Sequence, residues 1–204
     1  MDPSDNRRFW AERSGEYSPD YYAHRGPDET SEAIRAALDG VVAPSDPILE
    51  LGCSAGRHLA HLHDHGFESL HGLDINEDAF DVMAETYPDL ADAGTFHVGA
   101  IEEVVEEFDT DQFAAVFSVE TLQHVHPDAT DAFAEVARIA SDRILTVENE
   151  GDHREGDPDV NYVREELPLY YRDWDSVFGD LGFEQISAEP TKRDTLRTFR
   201  PRER

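Results

Sequence analysis

The chain has 204 residues, a length that fits one domain with a core large enough to fold alone. It carries 46 acidic residues against 17 basic ones, a net charge of -29, yet 39% of its residues are hydrophobic and fall in periodic segments, which disfavours disorder. With no run of about 18 apolar residues, no signal-like start and one cysteine, we expect a cytoplasmic protein without membrane spans or disulfides.

Strand-like and helix-like segments alternate along most of the chain. An N-terminal arm rich in aromatic residues comes first. Helical spacing of apolar residues then predicts helices over 28–42, 55–65, 76–87, 128–140 and 172–181, the third of them capped by Asn76 and stopped before Pro88. Short apolar runs predict strands over 47–51, 69–75, 94–99, 113–119, 142–149, 183–188 and 195–200. This alternation predicts right-handed βαβ units in a doubly wound α/β domain, with helices on both faces of a mostly parallel sheet.

The turn between the first strand and the helix that follows it, within PILELGCSAGRHLAHL (47–62), is rich in small residues. Gly52 lets the chain turn sharply, and Gly56 allows a close backbone approach. Since ligands of doubly wound sheets bind beyond the carboxyl ends of the strands, this turn predicts a nucleotide site. The dinucleotide fingerprint G-x-G-x-x-G/A requires glycine where this chain has Ser54, and glycine or alanine where it has Arg57, so NAD is disfavoured.

The pattern acid–x–Gly–x–Gly–x–Gly matches at Glu50, Gly52 and Gly56, with Ser54 in place of the middle glycine. In this it resembles the class I S-adenosylmethionine-dependent methyltransferases. Asp74 lies where the acid of that family holds two ribose hydroxyls, and a carboxylate can accept both hydrogen bonds. The segment VGAIEEV (98–104) is similar to the one that lies along the adenine, although it has alanine where many members have aspartate.

The resemblance implies a Rossmann-like seven-stranded sheet whose last strand is antiparallel, and S-adenosyl-L-methionine as the cofactor. The cofactor-binding residues that it implies are Glu50, Gly52, Cys53, Ser54, Gly56, Asp74, Ile75, Ala100, Ile101 and Ser118. One domain over 1–204 is expected, with an N-terminal cap and helix (1–44), a cofactor-binding core (45–150) and a substrate-side segment (151–204). Cys53 is expected to be a small buried filler.

The run ETLQH, Glu120 to His124, follows the fourth strand, where the family places groups that border the methyl acceptor. A histidine near neutral pH can remove a proton from an alcohol or phenol acceptor. Glu120 and His124 are therefore the candidate catalytic residues. The run also resembles the E-x-x-E-H metal-binding segment of some O-methyltransferases, but Gln123 replaces its second acid. A histidine that only caps the loop is an equal alternative.

A second group of histidines lies on the helix predicted over 55–65. His58, His61 and His65 share a face, and such spacing can bind zinc. No cysteine or glutamate nearby in the sequence completes a ligand set. The sequence therefore favours an exposed helix face, and no metal is expected.

The function expected from the resemblance is methyl transfer to an O, N or S atom of an acceptor, which we expect to be a small molecule because no separate recognition domain is evident. The aromatic residues of the N-terminal arm and of the segment after the fifth strand are expected either to cap its pocket or to pack on the sheet. The alternatives are an RNA or protein methyltransferase and a non-catalytic protein that binds S-adenosylmethionine. The acidic surface suggests a salt-loving organism and disfavours nucleic acid in ordinary salt.

Overall fold

A computed structural model describes residues 3–151, 160–163 and 167–203. Part of the polar loop predicted after the fifth strand, at 152–159 and 164–166, lies outside the described residues. The strands are β1 Ile48–Leu51, β2 Leu70–Asp74, β3 Thr95–Val98, β4 Phe113–Val119, β5 Ala140–Glu148, β6 Val160–Val163, β7 Leu167–Tyr170, β8 Phe183–Pro190 and β9 Thr195–Pro201. The helices are α1 Pro3–Ala11, α2 Pro19–Arg25, α3 Glu29–Leu38, α4 Arg57–Asp64, α5 Asp78–Thr86, α6 Pro88–Ala93, α7 Ile101–Val104, α8 Asp131–Ile139 and α9 Trp174–Asp180.

Seven strands form one sheet in the order β3-β2-β1-β4-β5-β9-β8. The first five are parallel to their neighbours, whereas β9 runs antiparallel to both β5 and β8. This arrangement confirms the predicted fold class. The strand order reverses between β1 and β4, and the carboxyl ends of these two strands mark the place where such sheets bind ligands.

Both faces of the sheet are covered by apolar side chains. All four residues of β1 are buried, because a central parallel strand has helices on either side. One layer of the core contains Trp174 and Phe178 from α9 together with α8, and the other contains Ile34 and Leu38 from α3 together with α4. The site at the strand ends is thus supported by a core on each side.

Several local expectations differ from the structure. Asn76 lies just before α5, where its Oδ1 accepts from the amide of Asp78 at 3.1 Å, and the helix starts two residues later than predicted. Pro88 ends α5 as predicted but also starts α6, since proline in a first helical turn sacrifices no helical hydrogen bond. The aromatic N-terminal arm forms α1 and α2. Among the described residues, none of the helices is long and apolar enough to cross a bilayer.

Candidate functional site

A cleft of about 330 Å³ lies at the carboxyl ends of the parallel strands. Its floor is formed by the turns that follow β1, β2, β3 and β4. Side chains of α1, of α2 and of the turn between β8 and β9 complete the walls, and these segments are far from the strand ends in sequence. The cleft therefore brings together parts of the chain that sequence patterns treat separately.

The turn after β1 has left-handed backbone at Gly52 (φ 70°), Ser54 (φ 50°) and Gly56 (φ 79°). A Cβ at Gly52 would lie 2.3 Å from Oγ1 of Thr121, so the position requires glycine for its conformation and for the close approach of the loop after β4. A Cβ at Gly56 would instead lie 2.7 Å from Cε of Met83 in α5. Gly56 thus packs against a helix, and the structure does not place it on the cleft wall.

Asp74 connects the turns after β1 and β2. Its Oδ2 accepts from the amide of Ser54 at 2.7 Å, and its Oδ1 accepts from the amide of Asn76 at 2.8 Å. Burial raises the pKa of this carboxyl, whereas the amide donors oppose that shift. A carboxylate can accept about four hydrogen bonds, so Asp74 keeps acceptor capacity toward the cleft beyond its backbone donors.

Glu50 lies at the inner end of the cleft with only 1% of its surface exposed. Its Oε2 has no hydrogen-bond partner within the described part of the chain, and burial raises its pKa well above the usual value. A buried carboxyl oxygen that lacks a hydrogen-bond partner and lies beside a cleft can accept a hydrogen bond from a bound ligand. Cys53 is also buried, with its sulfur packed closely against Gly72 of β2, which fits the filler role.

The buried carboxylate of Glu148 fixes the loop after β4 through hydrogen bonds. This carboxylate accepts from Oγ of Ser118 at 2.6 Å and from the amides of Thr121, Leu122 and Gln123 at 3.3, 3.1 and 3.2 Å. Burial raises the pKa of Glu148 to about 7. Ser118 is therefore part of the support of this loop and does not reach the cleft wall.

His124 lines the cleft and is 9% exposed. Its Nδ1 lies 2.9 Å from the carbonyl oxygen of Pro168. A carbonyl only accepts, so Nδ1 carries the proton, and Nε2 accepts a hydrogen bond from the side-chain amide of Gln123 at 3.4 Å. Asn6 of α1 donates to the His124 carbonyl oxygen at 2.7 Å, and the ring of Trp10 lies 4.8 Å from the imidazole. Burial lowers the pKa of His124 to about 4, so the ring is neutral at ordinary pH.

Glu120 lies in the same loop with a left-handed backbone (φ 49°). Arg193, from the turn between β8 and β9, donates to its Oε1 at 3.1 Å. Burial and the neighbouring Glu120 carboxylate raise the pKa of Asp194 to about 7. Within 3–151, 160–163 and 167–203, no group of three metal-ligating side chains forms around Glu120 and His124, so the structure does not support the metal interpretation of this loop.

Most of the predicted site residues share this one cleft. Those that line it are Glu50, Gly52, Cys53, Ser54, Asp74, Ile75, Ala100, Ile101, Glu120 and His124. Gly56 and Ser118 do not line it, for the packing reasons given above. The cleft is also lined by Asn6, Arg193 and Asp194. No sequence motif marks these isolated residues, because only the fold brings them to the strand ends.

Comparison with known proteins supports the assignment of this region. Residues 48–142 match the family model described as a methyltransferase domain. No curated protein matches the chain.

Solved structures resemble nearly the whole chain at low identity. Magnesium protoporphyrin IX methyltransferase from Synechocystis PCC 6803, with bound SAH, is 13% identical with a TM-score of 0.71, covering 98% of this chain and 100% of that one. Geranyl diphosphate C-methyltransferase from Streptomyces coelicolor A3(2) is 15% identical with a TM-score of 0.72 (97% and 96% coverage). The 1,6-didemethyltoxoflavin-N1-methyltransferase from Burkholderia thailandensis is 16% identical with a TM-score of 0.68 (98% and 84% coverage). At such identities the likeness shows the fold alone.

Residues 48–142 match a methyltransferase domain, and the whole chain has the fold of solved methyltransferases. The predicted family resemblance, enzyme class and methyl donor are thereby confirmed. The individual site residues remain predictions.

Proposed function

We propose that the chain transfers the methyl group of S-adenosylmethionine to a nucleophilic O, N or S atom of a small-molecule acceptor. The observation that carries this proposal is that the Asp74 carboxylate and the His124 imidazole face one cleft of about 330 Å³, which α1 and α2 help to wall. A partly covered cleft of this size suits a small acceptor better than a polymer. The neighbours named as methyltransferases of geranyl diphosphate and of a toxoflavin precursor support this class of acceptor.

The residues present fit the methyl donor. Asp74 keeps acceptor capacity for a ribose hydroxyl, and the unpartnered oxygen of Glu50 offers an acceptor for an amine or a bridging water. Ala100 and Ile101 provide an apolar wall for a purine ring. When bound, S-adenosylmethionine supplies an electrophilic methyl group on a positively charged sulfur.

The contribution of the protein to the reaction is then positioning and proton removal. We propose that Nε2 of His124 accepts the proton of a hydroxyl or thiol acceptor, while Glu120, paired with Arg193, orients the acceptor. The hydrogen bond from Nδ1 to Pro168 keeps the proton on Nδ1, and the hydroxyl or thiol of the acceptor takes the place of Gln123 as the donor to Nε2. Asp194, with a pKa raised to about 7 by burial and by Glu120, is an alternative proton acceptor in the same cleft.

The first prediction is that S-adenosylmethionine and S-adenosylhomocysteine bind and NAD does not. The reason is that Arg57 replaces the third glycine of the dinucleotide fingerprint, whereas Asp74 keeps acceptor capacity for a ribose hydroxyl. Calorimetry in concentrated KCl measures both ligands. Tight NAD binding without a signal from S-adenosylmethionine would contradict the proposal. Binding without turnover in a screen of acceptors with labelled methyl donor would favour the non-catalytic alternative.

The second prediction is that the fold needs salt, in keeping with a proposed cytoplasmic protein of a salt-loving organism. With 46 acidic residues and a single lysine, repulsion among acids grows as the screening distance rises from about 3 Å at 1 M to about 10 Å at 0.1 M salt. The melting temperature should therefore fall as KCl is diluted over this range. A melting temperature that stays constant or rises on dilution would refute it.

We also propose that the chain acts as one domain over 1–204, in which 1–44 and 151–204 shape the acceptor side and 45–150 holds the cofactor. Support comes from the cleft, whose walls include residues of all three parts, such as Trp10, Asp74 and Asp194. Recognition of RNA or protein remains an alternative outcome of the acceptor screen.

A further inference from the structure

A cluster of metal-ligating side chains lies on the outer surface of the fold, away from the cleft. It consists of His61 and His65 of α4 and its end, and of Glu32 of the neighbouring α3. One potential ligand atom from each residue lies within 4.8 Å of the others. None of the three residues lines the cleft. The chemistry of this cluster is therefore independent of methyl transfer.

The sequence alone did not reveal this set, because the glutamate lies 29 residues before His61. Residues i and i+4 of a helix lie on one face, which brings the two imidazoles together with ring centroids 4.3 Å apart. Packing of α3 against α4 then adds the carboxylate, with Oε2 of Glu32 at 3.0 Å from Nε2 of His61. His58 belongs instead to the helix interface, where it is buried and hydrogen-bonded to Ser31 at 2.8 Å.

The outer partners of these residues prepare them for a metal ion. Nδ1 of His65 lies 2.7 Å from the carbonyl oxygen of His61, so Nδ1 carries the proton and Nε2 is left as a free electron-pair donor. Histidine ligands of metals commonly donate their second nitrogen to a carbonyl in this way. Arg35 donates to both oxygens of Glu32, at 2.9 and 2.8 Å, and orients the carboxylate. Each carboxylate oxygen of Glu32 can accept one hydrogen bond besides that from Arg35. On Oε2 this second position is filled by His61.

We propose that Glu32, His61 and His65 bind a divalent transition-metal ion that joins α3 to α4. Two imidazoles and one carboxylate suit Zn²⁺ and related ions, and three protein ligands leave a fourth position for water. Ligand atoms around four-coordinate zinc lie about 3.4 Å apart, given bonds of about 2.1 Å. The present separations, 3.0 Å between Glu32 and His61 and up to 4.8 Å within the set, require only small side-chain rotations at an exposed site.

The test is calorimetric titration of ZnCl₂ into chain without a histidine tag, in concentrated KCl with excess Mg²⁺. The chain has 46 acidic residues, and the excess Mg²⁺ occupies the nonspecific cation sites that they form on its surface. Zn²⁺ should still bind at one site per chain. The variants Glu32→Gln, His61→Gln and His65→Gln should each weaken binding by about tenfold or more. His63→Gln is the matched control on the opposite side of α4 and should leave the affinity unchanged.

A second readout is the melting temperature, which Zn²⁺ should raise in the wild type and in His63→Gln but not in His61→Gln. The inference would be overturned if the wild type and all four variants bound zinc with equal affinity. It would also be overturned if excess Mg²⁺ abolished zinc binding to the wild type. Circular dichroism checks that the variants are folded. S-adenosylhomocysteine binding is measured in parallel, so a failure of the proposed function is recognised separately.

Discussion

His124→Ala should reduce turnover by about 10²–10⁴-fold while the affinity for S-adenosylhomocysteine stays nearly constant, provided that His124 is the general base. The reason is that Nε2 is the unprotonated ring nitrogen, which takes the proton of the acceptor in place of its hydrogen bond from Gln123, whereas the cofactor contacts proposed here come from other residues. The measurement is single-turnover kinetics with the acceptor found by screening, together with calorimetry. His24→Ala, an exposed histidine of α2, is the matched control and should have wild-type kinetics.

The pH dependence of the same reaction distinguishes two bases. From the sequence, a fall in rate near the ordinary histidine pKa of about 6.5 was expected. Burial lowers the pKa of His124 to about 4, and a base works only when unprotonated, so the rate should stay constant down to pH values near 4. A rate that falls below pH of about 7 and becomes pH-independent in Asp194→Asn would assign the base to Asp194 instead. A fully active His124→Ala enzyme would leave positioning as the mechanism.

Asp74→Ala should weaken the binding of S-adenosylmethionine by about 1.5–3 kcal/mol, the range for hydrogen bonds to a charged group. This corresponds to roughly 10–150-fold in the dissociation constant. The carboxylate lines the cleft and also accepts from the amides of Ser54 and Asn76, so its removal both deletes ligand contacts and loosens two turns. Calorimetry measures the loss directly.

Two further variants separate these effects. Asp74→Asn keeps the size of the side chain and one acceptor oxygen, so it should lie between the wild type and Asp74→Ala. Glu85→Ala removes a negative charge from an exposed position of α5 and should leave the affinity unchanged. If Asp74→Ala binds as tightly as wild type while its melting temperature falls, Asp74 serves only to hold the turns.

The sequence predicted the strands of the main sheet well because their apolar runs are nearly continuous. β1 and β4 are mostly buried, and buried parallel strands have nearly continuous apolar runs that are bounded by polar turns. The prediction was less accurate where one residue has two roles. Pro88 was treated only as the end of a helix, and α6, which it begins, was therefore missed. The short hairpin of β6 and β7 lacks a long apolar run and was missed too.

For the site, the sequence identified residues that occur at fixed distances from strand ends. Asp74 is the last residue of β2 and His124 lies five residues after the end of β4, so the topology brings them to one edge of the sheet. The sequence could not reveal groups of side chains that come from distant segments of the chain. Asp194 reaches the cleft through the turn between β8 and β9, and Glu32 meets His61 only through the packing of two helices. Such contacts depend on tertiary structure and leave no local pattern.

The positions of the two tryptophans give the chain a built-in optical probe. Trp10 lines the cleft beside His124, whereas Trp174 is fully buried in the core layer under α8 and α9. Ligand that enters the cleft changes the surroundings of the first indole only. Intrinsic emission therefore reports occupancy through Trp10, while the emission of Trp174 stays a constant internal reference until the domain unfolds.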